Sequence, residues 1–242
     1  MLYAPIANAV AIANGVSYTP YIMGIRERRE REREEMRRKI LDGARALFLS
    51  QGVESVSMRK IAETIEYSPT AIYDYFEDKE DLLRELCRCD FGTLTESFAA
   101  IASIPDPIER LAALAHGYIG FALKYPNHYR MMFMTSYEHP PLEEDDLSRK
   151  GDPDQDSYGL LLSSVEHAIK EGRFAPGWND RDLAAQTLWA GVHGVASLAI
   201  AKANDPWIDW ARIEARTSAM VDVLLFGMTG GDWKTLKKKG LS

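Results

Sequence analysis

Residues 56–82 read VSMRKIAETIEYSPTAIYDYFEDKEDL, and their start and stop signals spell two short helices and the start of a third. Ser57 can cap the first, with Val56 before it and Ile61 inside it at the spacing of a hydrophobic staple. That helix is expected to reach about Ile65. Ser68 caps the next, and Pro69 takes its first position, where a missing N–H costs nothing. The second helix covers about Pro69 to Tyr75. Asp78 caps a third, and Asp81 three residues on closes a capping box. Two short helices joined by the turn Glu66, Tyr67, Ser68 form a helix-turn-helix pattern. In that pattern the second helix lies in the DNA major groove, its N-terminal residues at the base edges.

The residue types agree with this. Ile61, Ala62, Ile65, Ile72 and Phe76 are apolar at spacings that pack the two helices together. Ser57, Arg59, Pro69, Thr70, Ala71, Tyr73, Asp74, Tyr75 and Lys79 are left outside, and most are small, hydroxylic or cationic, which suits close approach to phosphates. With Met58 and Ser68 they form the candidate DNA-binding set. Thr70, Ala71 and Asp74 are the candidates for base readout; Asp74 either accepts from a cytosine amino group or points away from phosphate. Spacing alone also fits a plain helical hairpin inside a bundle.

The run IAETIEYSPTAIYDYFEDKEDLL resembles the signature of the TetR/AcrR family of bacterial transcriptional regulators, and the likeness covers about residues 36–90. Ile-Ala, then Ser, then Tyr-x-aromatic-Phe, then Lys-Glu/Asp-x-Leu carry it. The family usually has Gly where this chain has Glu66, and often His where Tyr75 stands. Glu in a left-handed turn costs roughly 1 kcal/mol, so the turn is either strained or differently shaped.

At 242 residues the chain is long enough for one or two domains, and its net charge of −7 speaks against a protein that coats DNA with its whole surface. Any DNA contact must come from a local basic surface. Cys87 and Cys89 sit two apart on an expected helix and point in different directions, which suits packing residues of a reducing cytoplasm. None of the five histidines makes a metal-ligand spacing, and there is no phosphate loop or nucleophile elbow. No enzyme, cofactor or metal is expected.

Residues 1–25 carry no charge and lack the basic start of a signal peptide; Pro5 and Pro20 interrupt any membrane span. They read as a disordered extension, with a segment packed on the domain or on DNA as the other reading. The following RERREREREEMRRK, residues 26–39, holds eight basic and five acidic residues. It is either a solvated helical lead-in laced with ion pairs or an arginine-rich arm reaching the minor groove or adjacent phosphates. The first core helix ends at Gly52. A long helix starts after Asp78 and is expected to run to about Ala102, bridging the DNA-reading head to a second domain.

Asp106-Pro107, Asp152-Pro153 and Asp205-Pro206 each read as a cap followed by Pro at the first helical position. They place helices over about 107–125, 153 or 156 to 171, and 206–226. A short Met- and aromatic-rich helix occupies NHYRMMFMTSY, and 138–154 reads as a mobile acidic loop. A further helix, from after Asn179 to about Ala203, carries no charge between Asp182 and Lys202. Such a helix in a soluble protein is buried all round. With the helix that follows, it is expected to form a four-helix dimer bundle through Gly191, Gly194, Leu198, Val221, Leu224 and Leu225. LWAGVHG and DPIERLAALAHGYIGFALKYPNHYRMMF resemble the group of TetR-type C-terminal domains with Trp-x-x-x-His-Gly.

The expected architecture is therefore all-α. A disordered extension covers 1–29, a helix-turn-helix head 30–80, an effector-binding and dimerisation domain 81–230, and a basic tail 231–242. Candidate pocket residues are His116, Tyr118, Phe121, Tyr125, Tyr129, Met132, Phe133, Trp189 and His193, apolar walls with few polar handles. A lone His on an apolar helix also reads as a satisfied core residue. The resemblance implies a cytoplasmic homodimer, with operator DNA and a small, mostly apolar effector as partners and no membrane. Effector binding would tilt the long helix and separate reading heads that must sit about 34–36 Å apart. Two other classes remain open: a helical small-molecule-binding protein or enzyme with the helix-turn-helix as scaffold, and an effector-independent DNA-binding dimer.

Overall fold

Eleven helices and no strand occur among residues 20–138 and 140–231, which the computed structural model describes, with side chains from residue 24 onward. The head uses α1 (Pro20–Gln51), α2 (Met58–Thr64), α3 (Pro69–Tyr73) and the start of α4 (Lys79–Ser97). Its core forms where the apolar stripes of these helices meet: Ile40, Ala44, Phe48, Ile61, Ile72 and Phe76 are all at most 1% exposed. The helix begins at Pro20, so residues 20–29, expected as extension, are helical, and the charged stretch 26–39 is a largely exposed segment of α1. Residues 1–19 and 232–242, expected as extension and tail, lie outside the described residues.

α4 stops at Phe98 rather than at Ala102, and a separate turn, α5 (Ala99–Ala102), follows. Thr93, Thr95 and Ser97 all return their hydroxyls to carbonyls three or four residues back, a bonding pattern that bends helices. The body continues with α6 (Pro107–Lys124), α7 (Pro126–Phe133), α8 (Glu144–Arg149), α9 (Ser157–Lys170), α10 (Arg181–Ala201) and α11 (Ile213–Met228). α10 packs on α6, α9 and α11.

Of the three Asp-Pro pairs, only Asp106-Pro107 opens a helix; its carboxylate accepts from the Ile108 and Glu109 N–H groups. Asp152 and Asp205 spend the same local hydrogen bonds on turns, to the N–H groups of Asp154 and Trp207. Asx turns and caps share this chemistry, so the dipeptide cannot tell them apart. Helix α9 takes Asp156 as its cap instead, and α11 starts seven residues after Pro206. The acidic loop holds a helix as well: α8 is tied to α4 by Arg88, whose guanidinium donates to Asp146 at 2.7 Å and Glu143 at 2.8 Å. Those bonds hold the Asp146 carboxyl below the usual carboxylate range.

Two features join head to body. Arg45 of α1 and Asp90 of α4 form a bidentate pair, with side chains 6% and 1% exposed. Helix α7 lies between the two cores: Met131 packs in the head's core, while Tyr129 and Met132 pack in the body's. Cys87 and Cys89 are half-buried, free thiols, and Cys87 Sγ lies 3.0 Å from the Tyr137 hydroxyl.

Candidate DNA-reading face and effector cavity

The caps read from the sequence are present. Ser57 Oγ accepts the Lys60 N–H at 3.2 Å, Ser68 Oγ that of Ala71 at 3.2 Å, and Asp78 that of Asp81 at 2.8 Å. Between α2 and α3 the chain turns through Glu66 at φ 63°. The Tyr67 N–H bonds back to Ala62 O and the Glu66 N–H to Glu63 O, the hydrogen-bond pair of a Schellman ending. The turn is the left-handed one that Gly adopts freely, with a strained Glu in it, at roughly 1 kcal/mol.

Ser57, Arg59, Ser68, Pro69, Thr70, Tyr73 and Asp74 are exposed, and Ala71 and Tyr75 are half-buried. Two candidates sit differently from the expectation. Met58 is only 6% exposed because its side chain joins the head core, so it has no side-chain surface for DNA. Lys79 is not a free cation: Nζ donates to Val53 O at 3.0 Å. Arg59 donates to Glu63 at 3.1 Å in a solvent-exposed pair. The run 26–39, read either as a solvated lead-in or as an arm toward DNA, supplies further cations here from α1: Arg33 lies over the Tyr75 ring at 5.6 Å and Lys39 over Tyr67 at 4.6 Å. The basic run 26–39 was the signal for them.

Helix α4 leaves this face at Lys79 and three turns on becomes the wall of a cavity of about 270 Å³. Phe91, Leu94 and Phe98 of α4 face Leu111, Leu114, Ala115 and Tyr118 of α6 across it. Phe133, Ser157, Tyr158, Leu161, Leu188, Trp189 and Val192 complete the lining. Among the described residues no charged side chain lines it; the polar side-chain groups are three hydroxyls and an indole N–H.

Behind the wall runs a chain of hydrogen bonds. The Trp189 indole N–H donates to Tyr118 Oη at 3.1 Å, and the Tyr118 and Tyr129 hydroxyls lie 3.0 and 2.8 Å from His193 Nδ1. With Nδ1 unprotonated, its one lone pair accepts from one of the two phenols, and the Tyr129 hydroxyl also lies 3.3 Å from His193 O. Burial lowers the His193 pKa, favouring that neutral ring, and pushes the Tyr118 phenol up to about 12.

Of the expected pocket residues, Tyr118, Phe133 and Trp189 line the cavity, and His193 and Tyr129 back it. Phe121 and Met132 are core residues, 3% and 8% exposed. Tyr125 packs with its ring tilted against those of Phe121 and His128 and does not line the cavity. His116 is exposed, its ring bonded to Ala112 O. The reason is helical phase: the cavity stripe on α6 runs back from Tyr118 through Ala115, Leu114 and Leu111, while beyond it α6 is covered by α7 and α10. The phenylalanines and leucines of α4 were visible as an apolar stripe, but nothing in a stripe says what it will face.

Of the expected dimer residues, Gly191, Val221, Leu224 and Leu225 are used inside the subunit. A Cβ on Gly191 would meet Leu224 at 2.6 Å, and Val221 is 4% exposed. Gly194 has open space before it, and Leu198 is 46% exposed. Leu183 at 51% and Val223 at 56% extend that uncovered apolar face over α10 and α11. Helix α10 is long and apolar enough by composition to cross a membrane. Among the described residues no cluster of His, Cys, Asp or Glu could hold a metal ion.

A helix-turn-helix head continued through α4 into an all-helical body with an apolar cavity defines a class of two-domain helix-turn-helix proteins. Residues 40–86 match the family model described as bacterial regulatory proteins, tetR family, and residues 111–224 the model of the tetracyclin repressor-like C-terminal domain. The chain belongs to the TetR family. It is 40% identical over 63 residues to the HTH-type transcriptional repressor AcnR of Corynebacterium diphtheriae, 26% of this chain and 33% of that protein. It is 39% identical over 83 residues to the HTH-type transcriptional regulator BetI of Rhizobium meliloti, 34% of this chain and 41% of that protein. The matched segment spans about a third of the length of the first of these relatives. A solved protein of unknown function from Rhodococcus sp. RHA1 is similar over 80% of this chain and 95% of its own, at 26% identity and TM-score 0.61. The regulator FadR from Bacillus subtilis, solved in complex with stearoyl-CoA, shares the fold at 18% identity and TM-score 0.61, over 78% of this chain and 98% of that one.

Proposed function

We propose that this protein is a DNA-binding transcriptional repressor, not an enzyme, that acts as a cytoplasmic homodimer and leaves its operator when a small, mostly apolar effector occupies the α4–α6–α10 cavity. One observation carries the reading: α4 begins in the DNA-reading head, capped by Asp78, and ends as a wall of the cavity through Phe91, Leu94 and Phe98. An occupant that pushes on this wall moves the base of the head. Exposed Thr70, Asp74 and half-buried Ala71 are the base-reading residues, with Ser57, Tyr73 and Lys79 at phosphates. Lys79 exchanges the Val53 carbonyl for a phosphate on binding. The uncovered α10–α11 face is the dimer contact, and Trp189 and His193 support placing the C-terminal domain in the Trp-x-x-x-His-Gly group.

A lining with hydroxyls and an indole N–H but no charge favours an uncharged effector with one or two hydrogen-bonding groups. An effector shifts the equilibrium only by its difference in affinity between the two shapes. The test is a mobility shift on the DNA upstream of the protein's own gene, repeated against ligands selected by thermal shift. Specific retention with ligand-dependent release is the expected result. Retention that no stabilising ligand relieves would leave an effector-independent DNA binder, and no retention would sink the DNA reading.

A further inference from the structure

The N-terminal part of α1 runs past the head. From Gly24 to Glu35 every side-chain position except Ile25 is exposed. The charges on it are not evenly spread. Arg26, Arg29, Arg33 and Arg37 follow one another at spacings of three and four, which places them in one stripe along the helix. The stripe continues into Ile40 and Ala44, both 0% exposed, so it is the face by which α1 docks on the head. Arg37 is still seated there, paired with Glu85 at 2.9 Å and over the Phe76 ring at 5.7 Å. Arg33 lies over Tyr75, two residues past the end of α3. Arg29 and Arg26 therefore project beyond the edge that carries the reading helix, by about 6 and 10 Å at about 1.5 Å per residue.

Among the described residues nothing holds these two cations strongly. Arg29 has no ion-pair partner among the described residues. Arg26 faces Glu30 at 3.5 Å, with the two side chains 83% and 67% exposed, and a pair that open is worth little in water. Glu27, Glu32, Glu34 and Glu35 fall on other sectors of the helix. The extension is neutral as a whole, yet the stripe next to the reading helix carries three arginines, Arg26, Arg29 and Arg33, against one carboxylate, Glu30.

We infer that this stripe is a second DNA contact, in which Arg26 and Arg29 grip backbone phosphates flanking the site read by α3. The inference rests on the DNA-binding reading above. The partner is the phosphate backbone rather than the bases, because a guanidinium at the end of an exposed side chain is suited to phosphate oxygens and no shape in the helix selects a sequence.

The experiment compares the full chain with R26Q/R29Q and with R28Q/R31Q, which removes two arginines from other faces of the same segment. Gln keeps helix propensity close to that of Arg, and circular dichroism checks that the helix persists. Binding to duplex DNA from upstream of the protein's own gene is measured by fluorescence anisotropy over a salt series. Each lost phosphate contact lowers the slope of log K against log salt by about 0.9, so R26Q/R29Q should lose about 1.8 and R28Q/R31Q almost nothing. Trimming the duplex to the helix-turn-helix footprint should erase the difference between R26Q/R29Q and the unaltered chain. An unchanged slope for R26Q/R29Q overturns the inference, and so does an equal loss in both variants. An unaltered chain that binds no duplex fails the underlying reading and takes this inference with it.

Discussion

Replacing Asp90 by asparagine tests how the head is fastened to the body. Asp90 is 1% exposed and takes both ends of the Arg45 fork, at 2.5 and 3.3 Å, so α1 and α4 meet through a dry ion pair. The amide fills the same space but leaves the guanidinium buried with only Asp42, whose side chain is 60% exposed, to balance it. Removing one partner of a buried pair costs about 3–5 kcal/mol, because the remaining charge stays desolvated. That is a large share of the roughly 5–15 kcal/mol by which domains are stable. At about 2–4 °C per kcal/mol for a chain of this size, the melting temperature of Asp90→Asn should fall by roughly 6–20 °C. Urea titration and thermal dichroism, both at one fixed protein concentration because association would add to stability, give the two numbers. The double variant Arg45→Met with Asp90→Leu removes both charges and should recover most of the loss. A cost below about 1 kcal/mol for Asp90→Asn, or a double variant worse than either single one, would refute the claim that the cost lies in an orphaned charge.

Glu66→Gly should stabilise the head by about 1 kcal/mol in urea titrations, since only the Glu is strained at φ 63°. Ala115→Phe should fill part of the cavity and abolish ligand-dependent release while ligand-free DNA affinity stays within about twofold, read in one mobility-shift titration. Leu198→Glu, on the uncovered face of α10, should shift sedimentation toward monomer; an unchanged dimer places the interface elsewhere. Burial lowers the pKa of His193 and, against the opposing pull of Asp90, that of His128. Both rings gain protons on unfolding, so their contribution to stability is complete above the unfolded value of about 6.5 and is lost as pH falls below it. Stability measured from pH 8 to 5 should decline over that lower range, and His193→Gln should flatten the decline.

The head was legible in the sequence because its signals are local. A Ser or Asp before a helix bonds an N–H two or three residues away, and Ser57, Ser68 and Asp78 do so here whatever else the chain does. Even the strain at Glu66 could be read as one of two outcomes, since the turn geometry follows from helix α2 alone. The body was less legible because its decisive facts are distant. Asp152-Pro153 and Asp205-Pro206 look like Asp106-Pro107, and tertiary packing alone made one a helix start and the others turns. Gly191 did mark a close helix approach, but the approaching side chain was Leu224 of the same subunit. Tyr118, Trp189 and His193 came together as their types suggested, while Phe91, Leu94 and Phe98 joined them from a helix assigned to bridging.

On the proposed release mechanism, in which α4 moves, its being a wall of the cavity has a consequence for pharmacology. A molecule short enough to rest against Tyr118 and Trp189 without reaching Phe91 occupies the site and leaves α4 where it was. A longer homologue of the same molecule must displace Phe91 or Phe98 to enter. The two would compete for one site with opposite effects, the first holding the protein on DNA and the second releasing it. A homologous series would then divide into antagonists and agonists at a definite chain length, a threshold set by a phenylalanine ring.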